Sequence, residues 1–212
     1  MKKFKRSKSS RKELKSSKKK FFSKQTIWAV GIVLIMVLSV IGFMYVAPSE
    51  TEHEYGGVTF IPIVTGSGSV DHWVAVVNSS KIIFYNHPYD VGFINMTVET
   101  ENLLSSSRVF YLTSDVDDTY KEDIALMDFQ MTEDLYSAGY IFIPSFTSNN
   151  TFDKPIITCS NATTVMPVIY FLSGKNDSIT LEDNCIKVEF SSQLSSRRFK
   201  DRLMLGILGL EE

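Results

Sequence analysis

Two cysteines, three histidines and six prolines are all that the 212 residues contain, and each scarcity narrows the chemistry. Two thiols cannot build a four-thiolate zinc module, and three histidines leave little for a multi-histidine centre. Phosphate-loop, nucleophile-elbow, H-E-x-x-H and C-x-x-C patterns do not occur, so no motif-borne catalysis is written in the chain. The Gly66-Ser67-Gly68 turn opens no helix and so makes no phosphate cradle. No internal repeat occurs, which excludes a solenoid. The stretch Thr26–Ala47 contains no charge.

What is present is strongly segregated. Residues 1–24 carry twelve Lys/Arg and one acid, Glu13, whereas residues 25–212 carry ten Lys/Arg against twenty-three Asp/Glu. The uncharged stretch that follows the basic block matches the roughly 20 residues a helix needs to cross a bilayer. Trp28 and Tyr45 stand near its ends, where amphipathic rings favour the membrane–water boundary. The apolar run is too long for a cleaved signal peptide, and Tyr45 spoils the small-residue pattern before Ala47. The expected organisation is a basic cytoplasmic tail (1–24), a transmembrane helix (25–47), a linker (48–57) and an extracytoplasmic domain (58–212). The positive-inside tendency holds the N-terminus in the cytoplasm, with the main domain outside the cell membrane. The lysine-rich tail suits anionic lipid headgroups, with Phe21 and Phe22 as interfacial anchors. No aromatic-interleaved module accompanies it, so no nucleic acid is expected.

Outside a membrane thiols can stay oxidised, which makes Cys159 and Cys185 a candidate disulfide. Two separate buried thiols are the alternative. Five asparagines, Asn78, Asn95, Asn149, Asn161 and Asn176, begin Asn-x-Ser/Thr triplets, and all follow the uncharged stretch. They are the candidate glycosylation sites.

The outer domain reads as α+β: a mixed or antiparallel sheet with one main helix and a short C-terminal helix. Val58–Val64 is β-branched and aromatic, but Pro62 demotes it to an edge strand. "HWVAVV" and "IIFYNH" flank "NSSK" as a hairpin. Pairing Val77 with Ile82 sets Trp73 opposite Asn86 and His72 opposite His87. Both faces of that hairpin are apolar, so cover on both sides is expected. Arg108–Thr113 is a strand. Thr119 and Glu122 form a capping box for a helix over Tyr120–Ala138, whose apolar residues Ile124, Met127, Met131 and Leu135 recur every three or four positions. Pro167–Leu172, "SITL" and "CIKVEF" are further strands. Leu203, Ile207 and Leu210 form a stripe that packs on the domain or lies on a membrane, packing being favoured by its shortness.

Candidate metal ligands are Asp115, Asp117 and Asp118, at the end of a strand, and the His72–His87 pair. The acidic run lacks the glycine and terminal glutamate of a calcium hand, and acids before a helix also suit its dipole. Two histidines fall short of the three protein ligands a zinc site takes. No catalytic residue and no cofactor is expected.

The segments around Cys159, Asn161-Ala162-Thr163, Pro167-Val168-Ile169, Asn184-Cys185-Ile186 and Asp201-Arg202-Leu203 resemble a family of uncharacterised archaeal single-pass membrane-anchored proteins. The likeness covers the anchor and half of the domain. It implies a small cysteine-bearing α+β domain outside an archaeal membrane, and it transfers no functional residue. The expectation is a binding or structural module of the envelope, or an accessory subunit of a membrane complex with Gly31 and Gly42 on one packing face. The alternative is an extracytoplasmic metal-dependent hydrolase.

Overall fold

The computed structural model describes residues 24–45, 52–66 and 68–210, with side chains in the first stretch described for residues 28–39. The chain divides after Ser49 into two units. The first holds helix α1 (Lys24–Tyr45) of 22 residues. Its described side chains, from Trp28 to Ser39, are all exposed and none is charged. Among the described residues, no helix is long and apolar enough to cross a membrane. The basic tail with Phe21 and Phe22, the Tyr45 ring and the acidic flank at Glu50 lie outside the described residues.

The second unit opens with an antiparallel meander, β1 (His53–Tyr55), β2 (Val58–Val64), β3 (Val70–Val77) and β4 (Ser80–Phe84). β1 lies inside residues 48–57, so part of the expected linker belongs to the sheet. β2 is likewise flanked on both sides, not an edge strand. Pro62 is accommodated because β1 reaches only as far as Phe60 along it.

The hairpin register also differs from expectation. Asn78 and Ser79 both take positive φ, 51° and 69°, and close a two-residue turn with Val77 opposite Ser80. Such turns match the twist of the flanking strands, and asparagine tolerates the left-handed region. The pairing slides by two residues, so Trp73 faces Phe84 and Ala75 faces Ile82. A slip of two keeps each side chain on its expected face. Ala75, Ile82 and Phe84 are fully buried, whereas Val76 and Tyr85 on the other face are exposed, so the hairpin is covered on one side only.

Two helices, α2 (Pro88–Val91) and α3 (Val98–Ser106), follow where the sequence pattern was uninformative. Thr97 caps α3 by accepting the Thr100 N–H. The second sheet uses β5 (Val109–Ser114), β6 (Ile141–Phe146), β7 (Val168–Ser173), β8 (Ser178–Glu182) and β9 (Cys185–Phe190) in the order β6-β5-β7-β9-β8. All its pairings are parallel except β8 with β9. Helix α4 (Lys121–Tyr136) is the crossover from β5 to β6, and α5 (Gln193–Leu208) closes the domain. The domain is α+β as expected, but α5, at 16 residues, is as long as α4 rather than short.

Parallel sheets need cover on both faces. One face, carrying Leu112, Ile169, Phe171 and Ile186, packs with α4, α5 and the buried side of the meander into one core. The opposite face carries Tyr111, Val168, Tyr170 and Cys185, covered by Ile157, Cys159 and Ala162 of the β6–β7 connection. The Cys159–Cys185 disulfide fastens that connection to β9. The two thiols are therefore a pair.

Helix α5 is the pivot. Eleven of its residues are buried, among them Lys200, Asp201 and Arg202. The Leu203–Ile207–Leu210 stripe packs on the domain. Asp201 accepts hydrogen bonds from the N–H groups of Tyr85 and Asn86. Arg202 pairs with Glu101 at 2.8 Å. A left-handed Gly209, φ 67°, ends the helix by donating to Gly206 and Leu205 carbonyls.

Candidate functional site

In open parallel sheets, ligands bind beyond the carboxyl ends of the strands. At that end of β5 and β6, two adjoining cavities run along α4. One, about 440 Å³, is lined by polar groups that include Ser114, Asp117, Lys121, Glu122 and Thr151. The other, about 400 Å³, is mainly apolar, with Phe129, Thr132, Pro144, Ser145 and Lys154 in its wall. Ala125, Asp128, Phe146 and Phe152 line both, making one largely apolar groove with charged side chains at its Ser114 end.

The helical period explains the groove. Ile124, Met127, Met131 and Leu135 turn inward to the core. The neighbouring row, Ala125, Asp128, Phe129 and Thr132, is carried past the core edge and becomes the wall. The opposite wall comes from β6 and from residues 150–154, which Asn150 shapes by accepting the N–H groups of Phe152 and Lys154. Phe146 and Phe152 stand with ring centroids 5.6 Å apart.

Asp128 is the chemically unusual member. Its Oδ1 is sealed from solvent and has no hydrogen-bond partner among the described residues. Burial pushes its carboxyl up to about 8, so it holds its proton at neutral pH. The hydroxyls of Thr132 and Ser145 are engaged elsewhere, donating to the carbonyls of Asp128 and Leu112. A half-buried carboxyl with one sealed oxygen, in a largely apolar cleft, is a recurrent mark of a binding or reactive site.

The sequence-predicted residues are distributed differently. Asp118 is structural: its Oδ1 accepts the Tyr120 N–H at 2.8 Å and its Oδ2 the Ser173 N–H at 2.9 Å. It, rather than the expected Thr119–Glu122 box, serves the start of α4, where Tyr120 is the cap and offers no side-chain hydrogen bond. Asp115 is exposed, and Asp117 lies on the polar rim of the groove. With burial, Asp115 and Asp118 raise the pKa of the Tyr170 phenol.

His72 and His87 do not meet across the hairpin. His72 stands opposite Ile63 and pairs with Asp71 at 2.9 Å. His87 caps α2, accepting the Tyr89 N–H through Nδ1. It packs edge-on against Trp73 and against His53, with centroids 4.4 and 4.8 Å away. Burial and the neighbouring His53 lower its pKa, while Asp90 acts the other way. Among the described residues no three His, Cys, Asp or Glu side chains converge to hold a metal. All five glycan-acceptor asparagines are exposed, and the Asn161 Oδ1 also accepts the Thr158 N–H.

Sequence reasoning missed Asp128. The available signal was a carboxylate four residues after Ile124 and three before Met131, adjoining the inward stripe of a helix. No family model, curated protein or solved structure matches the chain.

Proposed function

We propose that the chain is a single-pass membrane-anchored protein whose domain after Ser49 is a ligand-binding module outside the cell. The observation that carries this reading is α1, in which the described side chains from Trp28 to Ser39 are all exposed and uncharged. A helix apolar all round needs apolar surroundings. Those twelve described residues are by themselves shorter than the roughly 20 a bilayer needs, and the rest of the span is read from the uncharged run Thr26–Ala47 of the sequence. The tail of twelve Lys/Arg before it supports a cytoplasmic N-terminus and contact with anionic headgroups. The Cys159–Cys185 bridge and the exposure of all five glycan-acceptor asparagines support an oxidising exterior.

Binding is favoured over metal-dependent hydrolysis by how the acidic residues are used. Both Asp118 oxygens are committed to backbone amides. His72 alternates with Trp73 along β3, so it projects from the other face of the strand than the ring that packs on His87. The Asp128 groove, by contrast, has the volume and apolar character of a small-molecule site.

Proteolysis of intact cells tests the topology. The domain should be degraded from outside while an epitope at the N-terminus survives until the cells are permeabilised. A domain that resists protease until permeabilisation would refute this orientation.

A further inference from the structure

The groove wall beside Asp128 combines two recognition elements. One is Asp128, which lines both cavities and whose Oδ1, turned away from solvent, has no hydrogen-bond donor among the described residues, so that a turn of the side chain brings an unpaired oxygen to a ligand. The other is aromatic: Phe129, Phe146 and Phe152 line the same cleft. The other charged residues lining the groove, Asp117, Lys121, Glu122 and Lys154, are exposed and so weakly effective. Carboxylate plus aromatic faces is the chemistry that selects an organic ammonium, through a charge-assisted hydrogen bond and cation–π attraction. A lone water suits the site less well, because it needs two to four polar partners. The Thr132 and Ser145 hydroxyls already donate to backbone carbonyls.

We infer that the groove between α4, β6 and residues 150–154 binds a small primary ammonium with an aromatic or alkyl body, its nitrogen donating to Asp128 and its body lying against Phe129, Phe146 and Phe152. This deepens the binding-module reading by giving the ligand's class. Binding is coupled to a proton: the carboxyl releases its proton to solvent as the ammonium, which keeps its own, takes up the freed charge. Asp128 is held neutral by burial alone. The affinity for the amine therefore climbs close to tenfold per pH unit up to about pH 8 and levels off above it.

The test uses the full chain in phosphatidylcholine nanodiscs, with empty discs as blank, titrated with phenethylamine, phenethyl alcohol and phenylacetate. Saturable binding of the amine is expected, at least tenfold tighter than either control and rising with pH as described. Asp128→Asn should weaken it at least tenfold and flatten the pH profile. Phe152→Ala, at an exposed position, should weaken it severalfold and serves if the first variant fails to fold. Equal binding of all three probes, no saturable amine binding, or a pH-independent affinity would overturn the proposal. The titration does not depend on which side of a membrane the domain occupies, so its failure is separable from failure of the topology.

Discussion

Asp201, midway along α5, accepts the backbone N–H of Asn86 at 2.7 Å and the side-chain amide of the same residue at 2.8 Å. The contact ties the C-terminal helix to the end of the meander across 115 positions of sequence. Lys200 stands 3.3 Å from the other Asp201 oxygen, and both side chains are wholly buried. Burial raises the Asp201 carboxyl, while Lys200 and Asn86 pull it down.

Removing one member of such a cluster leaves the others buried without their partner. Asp201→Ala should destabilise the domain by about 3–5 kcal/mol. Asp201→Asn, which keeps an acceptor, should cost less. Chemical denaturation of both variants measures the difference, and equal, small losses would show that the cluster is not a structural tie.

Asp118 makes a similar tie on a smaller scale, linking the start of α4 to the end of β7. Asp118→Ala should cost about 2–4 kcal/mol, two charge-assisted hydrogen bonds being lost. Asp115→Ala, at an exposed site, should cost under about 0.5 kcal/mol. Similar losses in both variants would contradict the division of roles.

Reduction of the Cys159–Cys185 bridge frees a segment of sequence separation 26. The denatured chain then regains entropy worth about 3 kcal/mol. The Cys159→Ser, Cys185→Ser double variant should lose a comparable amount, and wild type in reductant should match it. Hydrogen exchange should rise first between residues 147 and 166, which the bridge holds against the sheet. Uniform exchange across the domain would argue against a local fastener.

Asp128 makes stability depend on pH in a definite direction. Its carboxyl titrates at about 8 in the native state and about 4 in the unfolded chain. Below about pH 4 both states are protonated and the native state gains fully. As pH rises towards 8 only the unfolded chain ionises, so stability falls, and above 8 the loss is complete. Asp128→Asn removes that loss and should gain on wild type by about 4 kcal/mol between pH 5 and 8.5. Denaturation curves at the two pH values decide the point, and a constant difference would sink it.

Periodicity made much of the fold readable. The Ile124–Met127–Met131–Leu135 stripe announced itself because the helix buries one row of side chains, and the apolar runs of β5, β7 and β9 because these strands are covered on both faces. The register of the β3–β4 hairpin did not, because "NSSK" admits both a four-residue loop and a two-residue turn. Only the left-handed pair Asn78–Ser79 settles it. The buried charges of α5 were unreadable for a different reason. Lys200, Asp201 and Arg202 look like a solvated basic face until Asn86 and Glu101, about a hundred residues away, are brought beside them. Asp128 was hidden likewise, since its environment is made by Phe146 and Phe152 on a distant strand and loop.

The approach of Gly56 to Leu210 has a consequence for biosynthesis. A methyl group on Gly56, whose φ is +56°, would lie 3.0 Å from the Leu210 Cα, so the first hairpin is moulded against the turn that follows α5. The buried side of the meander therefore gains its full cover only once α5 and that turn have been made. Until then the inner surface of the meander stays uncovered, and the emerging polypeptide is at its most dependent on chaperones.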